Sequence, residues 1–172
     1  MNKIREELAG GDRRSIGQAD KAAAQVLEDA TLFGSVFEGL LSDDPVVRMR
    51  CADVIEKVTR LHPEFLAPYK RRLIRDIAKI DQQEVRWHVA QVFSRLELTR
   101  AERRAAVEIL TGYLEDKSKI VKTFSMQALA DIAEQDATLK PAIMAQLEFL
   151  METGSPAMKS RGRKLLARLK RR

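Results

Sequence analysis

The sequence withholds most of the residues that mark a chemical site. There is one cysteine, Cys51, hence no internal disulfide, and there are two histidines, His62 and His88. A lone thiol suits a reducing compartment, and the opening stretch MNKIREELAGG carries acids in place of a signal-peptide core. Both point to a cytoplasmic protein. No run of about 18 apolar residues is available to cross a bilayer. Neither histidine has a second His or Cys at ligand spacing, so no metal is expected. Glycine-rich phosphate loops, Ser-x-x-Lys and Gly-x-Ser-x-Gly are all missing. That leaves no catalytic constellation and implies no cofactor.

Aromatics are few as well, 5% of the chain against 45% apolar residues overall, so the core must be aliphatic. Glycine (8) and proline (5) are scarce, and helix formers dominate. No stretch shows strand alternation bounded by turns. A chain of 172 residues can bury one substantial core. The net charge is +6, but residues 155–172 hold eight of the 31 basic side chains and no acid. The remaining 23 bases against 25 acids give residues 1–154 a net charge of −2. Only the last helix is basic.

A repeat lies in the apolar residues. Four helix starts superpose, at Asp44-Pro45, Gln82-Gln83, Ser118-Lys119 and Ser155-Pro156, spaced 38, 36 and 37 residues apart. Asp and Ser are good N-caps, and proline is tolerated at the first helical position. Positions three, seven, ten and fourteen after each cap share one helical face. They read Val47, Cys51, Val54, Val58; Val85, Val89, Val92, Leu96; Val121, Ser125, Ala128, Ile132; and Met158, Gly162, Leu165, Leu169. Each such helix follows another apolar segment at helical period: Leu32–Leu41, Phe65–Ile77, Val107–Leu114 and Leu139–Leu150. Thr99 and Glu102 form a capping-box pattern before the third. Pro63 suits a first turn, whereas Pro68 either starts or kinks its helix. Ser15 to Ala30 reads as one more helix with Ile16, Ala19, Ala23, Val26 and Leu27 inward, set off by Gly10-Gly11.

Helix pairs of about 37 residues, whose second helix opens as Asp-x-Pro/x-x-Val-Arg-x-x-x-Ala, resemble HEAT repeats. The residues that carry the resemblance are Val47-Arg48 with Ala52, Val85-Arg86 with Ala90, and Val121-Lys122. The pattern is broken at Met126 and Arg163, where the small residue is missing. The resemblance implies an all-α, right-handed α-α superhelix of about four HEAT-like pairs (29–62, 63–98, 99–136 and 137–172), preceded by an N-terminal segment and capping helix at 1–28. HEAT repeats serve unrelated functions, so the match carries no activity with it. It also implies an acid–base ladder at the turns, where Asp43, Asp81 and Asp116 precede Arg48, Arg86 and Lys122.

The face opposite the apolar stripe is the candidate docking surface. It carries Met49, Asp53 and Glu56, then Trp87 and Gln91, then Thr123 and Gln127. This mixture of Met, Trp, amide and acid suits a protein or peptide, because a nucleic-acid groove needs a stripe of cations. Trp87 fits either a gap between repeats or a partner contact. The second candidate is an anion patch of Lys159, Arg161, Arg163, Lys164, Arg168, Lys170, Arg171 and Arg172 on the last helix. That helix serves either as a polar end cap or as an anion-facing patch for RNA, DNA, an acidic protein or an anionic membrane surface. DNA alkylation-repair glycosylases share HEAT-like pairs and use aromatic and acidic residues, roles open to Trp87 and Asp53, but their basic concave groove is missing here.

Overall fold

The structure, a computed structural model that describes residues 3–171, contains ten α-helices and no strand among those residues. It divides into two compact units, 1–96 and 97–172. No helix among the described residues is long and apolar enough to cross a membrane.

The N-terminal unit holds α1 (Lys3–Glu7), α2 (Ala19–Glu28), α3 (Phe33–Gly39), α4 (Pro45–Leu61), α5 (Lys70–Arg75) and α6 (Gln83–Phe93). α4 is its centre, packed against α3, α2 and α6. The Asp44 carboxylate starts α4 by accepting the Val46 N–H at 2.8 Å, with Pro45 at the first position. Gln82, the N-cap of α6, bonds neither of its own helix's first amides. Its side chain accepts from Arg48 Nε at 2.8 Å and donates to the Pro45 carbonyl at 2.8 Å, which ties the start of α6 to the start of α4.

The C-terminal unit holds α7 (Arg100–Tyr113), α8 (Lys119–Gln135), α9 (Lys140–Thr153) and α10 (Pro156–Arg171). Thr99 and Glu102 complete the reciprocal capping box at the start of α7. α8 packs on α7, α9 and α10, and α9 on α10. Thus α4, α8 and α10 each lie against the helix that precedes them, and α4 packs on α6 as α8 does on α10.

All sixteen stripe positions are buried. Each fully buried aliphatic side chain contributes about 1.5–3 kcal/mol over exposure, so the stripes are the main cohesive element of each unit. Burial pushes the Cys51 thiol up to about 12, which makes it a packing group and no nucleophile. Gly39 is needed beside it, since a Cβ there would lie 2.3 Å from the Cys51 sulfur.

Two helical expectations need correction. The helix expected from Ser15 begins only at Ala19, because Gly17 adopts φ +53° and Gly10 and Gly11 are left-handed too. Ile16, left outside the helix, is exposed, and so is Leu27, which lies beside the buried face of Ala19, Ala22, Ala23 and Val26. The segment from Phe65 to Ile77 is broken into a 3-10 turn (Pro63–Tyr69), the six-residue α5 and a second 3-10 turn (Ile77–Lys79). Pro68, inside the segment, removes an amide donor, so no continuous α ladder can form across it, whereas Pro63 stands at the first position, where that donor would be unpaired anyway.

Candidate functional site

α4 and α6 lie side by side, so residues at equivalent points of their helical wheels come together. Met49 and Asp53 from α4 and Trp87 and His88 from α6 line one cleft of about 240 Å³. The chain before α2 supplies a further wall through Arg13, Arg14, Ser15 and Ile16, and Arg50 completes the lining. Trp87 is half-buried and meets the His88 ring edge-on, with centroids 5.7 Å apart.

The electrostatics of the cleft are set by who already holds each charge. Asp53 Oδ2 accepts from Lys57 Nζ at 2.7 Å. Burial works against the Lys57 ammonium, but hydrogen bonds to Asp20 and Asp53 outweigh it and hold its pKa above the ordinary value. Burial pushes His88 down to about 4, against the pull of the nearby Asp53 carboxylate, so the ring is neutral at neutral pH. Ser15, His88 and Asp53 share the cleft without forming a hydrolytic relay. His88 Nε2 faces Asp53 at 3.9 Å, its Nδ1 faces Gln91 at 3.5 Å, and the Ser15 hydroxyl accepts the Gly17 N–H at 3.1 Å. Neither ring nitrogen is turned to take a serine proton. Among the described residues, no group of three or more His, Cys, Asp or Glu side chains could hold a metal ion.

The residues expected on this face differ in how much of them reaches the surface. Met49 is only 6% exposed and Glu56 only 2%. α4 has a second helix on each side, so its buried arc is wider than the apolar stripe and takes in both. Glu56 pairs with Arg60 at 2.6 Å and with Arg95. Burial pulls its pKa upward, yet the bonds to Arg60 and Arg95 win and hold it below the usual carboxylate range. Gln91 donates to the Trp87 carbonyl at 3.3 Å within α6. In the C-terminal unit, Thr123 donates to the Lys119 carbonyl at 2.7 Å, and Gln127 bridges Asp131 at 2.9 Å and Arg161 at 2.7 Å.

No family model, curated protein or solved structure matches the chain. Its own geometry must carry the functional reading.

At the turns, Arg86 pairs with Asp81 at 3.0 Å. Arg48 reaches the carbonyls of Ser42 (2.7 Å) and Asp43 (3.1 Å), not the Asp43 carboxylate. The Asp116 carboxylate accepts the Ser118 N–H at 2.7 Å, and Lys122 is half-exposed. Further charged steps between neighbouring helices sit near their far ends, at the residue thirteen positions after the cap. There Lys57 meets Asp20, Arg95 meets Glu56, and Arg168 meets Asp131 at 2.6 Å. A charge at that position in all four copies (Lys57, Arg95, Asp131, Arg168) was the sequence signal for it.

The basic helix α10 is partly committed to the fold. Arg161 donates to Gln127, and Arg168 bonds Asp131 and forms an ion pair with Glu134 at 2.9 Å. Lys170 lies 3.7 Å from Glu148, and Arg171 donates to the Ala167 carbonyl at 3.1 Å. Arg163 and Lys164 are exposed and Lys159 half-exposed. Arg172 lies outside the described residues.

Proposed function

We propose that this protein is a non-enzymatic, HEAT-like scaffold whose second-helix face in the N-terminal unit docks a protein or peptide partner. The observation that carries the reading is the convergence of Trp87, Met49 and Asp53 on one cleft. A half-buried indole beside a methionine and an oriented carboxylate has the composition of an interface anchor. The cleft's one acid is already neutralised by Lys57 and its histidine is neutral, an arrangement fit for shape recognition and unfit for proton transfer. Second helices that start 38, 36 and 37 residues apart, laid one against another within each unit, support extending the pattern to a right-handed α-α superhelix of about four pairs. The cytoplasm is its proposed site of action.

Affinity capture from native lysate, with and without nuclease, tests this. A partner retained after nuclease and lost in the Trp87→Ala, Asp53→Lys double variant supports the reading. Undiminished capture by the folded double variant would remove the cleft from it.

A second reading is favoured by α10, whose segment 155–172 contains no acid while Arg163, Lys164 and Lys159 face outward. We propose nucleic-acid backbone contact there as the alternative. These three cations would give a log–log salt slope of about −3, against about −7 if all eight engaged phosphate. Salt-independent binding, or none at low salt, would dispose of it.

A further inference from the structure

The second-helix face of the N-terminal unit already carries a covering. Residues 9–18 cross it between two buried ends, Leu8 beside α1 and Ala19 at the start of α2. Every residue between those ends is exposed, so no apolar burial holds the segment down. What holds it is Arg50. This side chain is only 4% exposed, and its guanidinium donates almost wholly to the segment's backbone. Nη1 reaches the carbonyls of Leu8 (2.9 Å) and Gly10 (2.7 Å), and Nε reaches that of Ser15 (3.2 Å). The chain is shaped to this cation: Gly10 and Gly11 are left-handed, and a Cβ on Gly17 would lie 2.6 Å from the guanidinium carbon. Beyond Arg50, Arg13 adds an ion pair to Glu84 at 3.8 Å.

We propose that residues 9–18 are a strap that opens and closes over the cleft, with Arg50 as its latch. A segment with exposed side chains and one concentrated anchor opens at far lower free energy than the helices it lies on. The latch is a buried cation served by neutral carbonyls and by no carboxylate, so water or a ligand can replace its acceptors at modest cost. Because the strap supplies one wall, opening it widens the cleft and uncovers Arg50 beside Met49 and Trp87. Gating is the purpose this assigns, and it rests on the docking reading above. The latch itself does not.

Limited trypsin digestion of the whole protein reads the strap through cleavage after Arg13 and Arg14. Acrylamide quenching of Trp87, the only tryptophan, reads the cleft. Arg50→Gln should speed strap cleavage at least about tenfold by removing charge-assisted hydrogen bonds and should raise quenching. Gly17→Ala should do the same by pushing the strap off the guanidinium while leaving α4 untouched, and it decides alone if Arg50→Gln does not fold. Lys57→Gln, which removes a cation of α4 that bonds only Asp20 and Asp53, should leave strap cleavage at the wild-type rate. Strap cleavage and quenching at wild-type levels in a folded Gly17→Ala protein, or equal acceleration by Lys57→Gln, would overturn the latch. These measurements use no partner, so a failed capture experiment would remove the docking reading and leave the strap standing.

Discussion

In the N-terminal unit the cations on the second helices are spent. Arg50 goes to the strap, Lys57 to Asp20 and Asp53, and Arg60 and Arg95 to Glu56. In the C-terminal unit α8 and α10 pack through the same kind of apolar stripe, yet α10 leaves Arg163 and Lys164 exposed. The polar groups above that stripe differ more than the stripe does. Six after the cap, the first copy has Arg50, buried and holding main chain, and the second has His88, half-buried and neutral. The fourth has Arg161, donating to Gln127. The apolar period sets how such helices pack, and the residues between set whether a surface is covered, cleft or charged.

Acid should break the comparison most strongly. His88 has its folded pKa lowered from 6.5 to about 4, so between those values the unfolded chain binds a proton that the folded chain refuses. Stability then falls as pH drops through that window, by up to about 3 kcal/mol at the bottom of it. Both histidines lie in the N-terminal unit. Urea titrations at pH 7 and pH 4.5, followed by Trp87 fluorescence, should show the loss, and His88→Gln should flatten it. Equal slopes in both proteins would show that His88 is not responsible. Glu56 acts lower: its depressed pKa means that its contribution is kept above about pH 4.5 and lost below.

The charged steps should differ next. Arg95→Ala leaves Glu56, 2% exposed, with only the outlying Arg60, and should cost about 2–3 kcal/mol in denaturant unfolding. Arg168→Ala leaves Asp131 and Glu134, which keep about a fifth of their surface in water, and should cost about 1 kcal/mol. Close helix contacts come third. Gly39→Ala drives a Cβ into the Cys51 sulfur and should cost about 1–3 kcal/mol. Gly162→Ala meets the flexible Met151 side chain, and its overpacking cost should be nearly cancelled by about 1 kcal/mol of helix propensity. Smallest of all, Arg163→Gln with Lys164→Gln should change stability by no more than about 0.5 kcal/mol, since both are exposed.

Much of the helical architecture could be read from the residues. All sixteen stripe positions are buried, Thr99 and Glu102 close their capping box, and Asp44 and Ser118 cap the helices assigned to them. The failures have physical causes. Apolar periodicity continues through Ile16 and Phe65, but left-handed Gly17 and Pro68 decide the backbone there. The make-up of the cleft was only partly visible. A single-helix wheel treats Met49 and Glu56 as opposite the core, whereas α4, flanked by α2 and α6, has little outer side left. Arg50 was missed because nothing in a periodic pattern shows a buried cation whose acceptors are the carbonyls of residues some 40 positions earlier.

Photo-crosslinking in living cells tests the docking claim most directly, with a photoreactive residue in place of Trp87, of Ser125 or of Arg163. The expected result is a nuclease-resistant protein adduct from position 87 and none from buried position 125. No adduct at 87, with nuclease-sensitive adducts at 163, would contradict the cleft and leave α10 as the working surface.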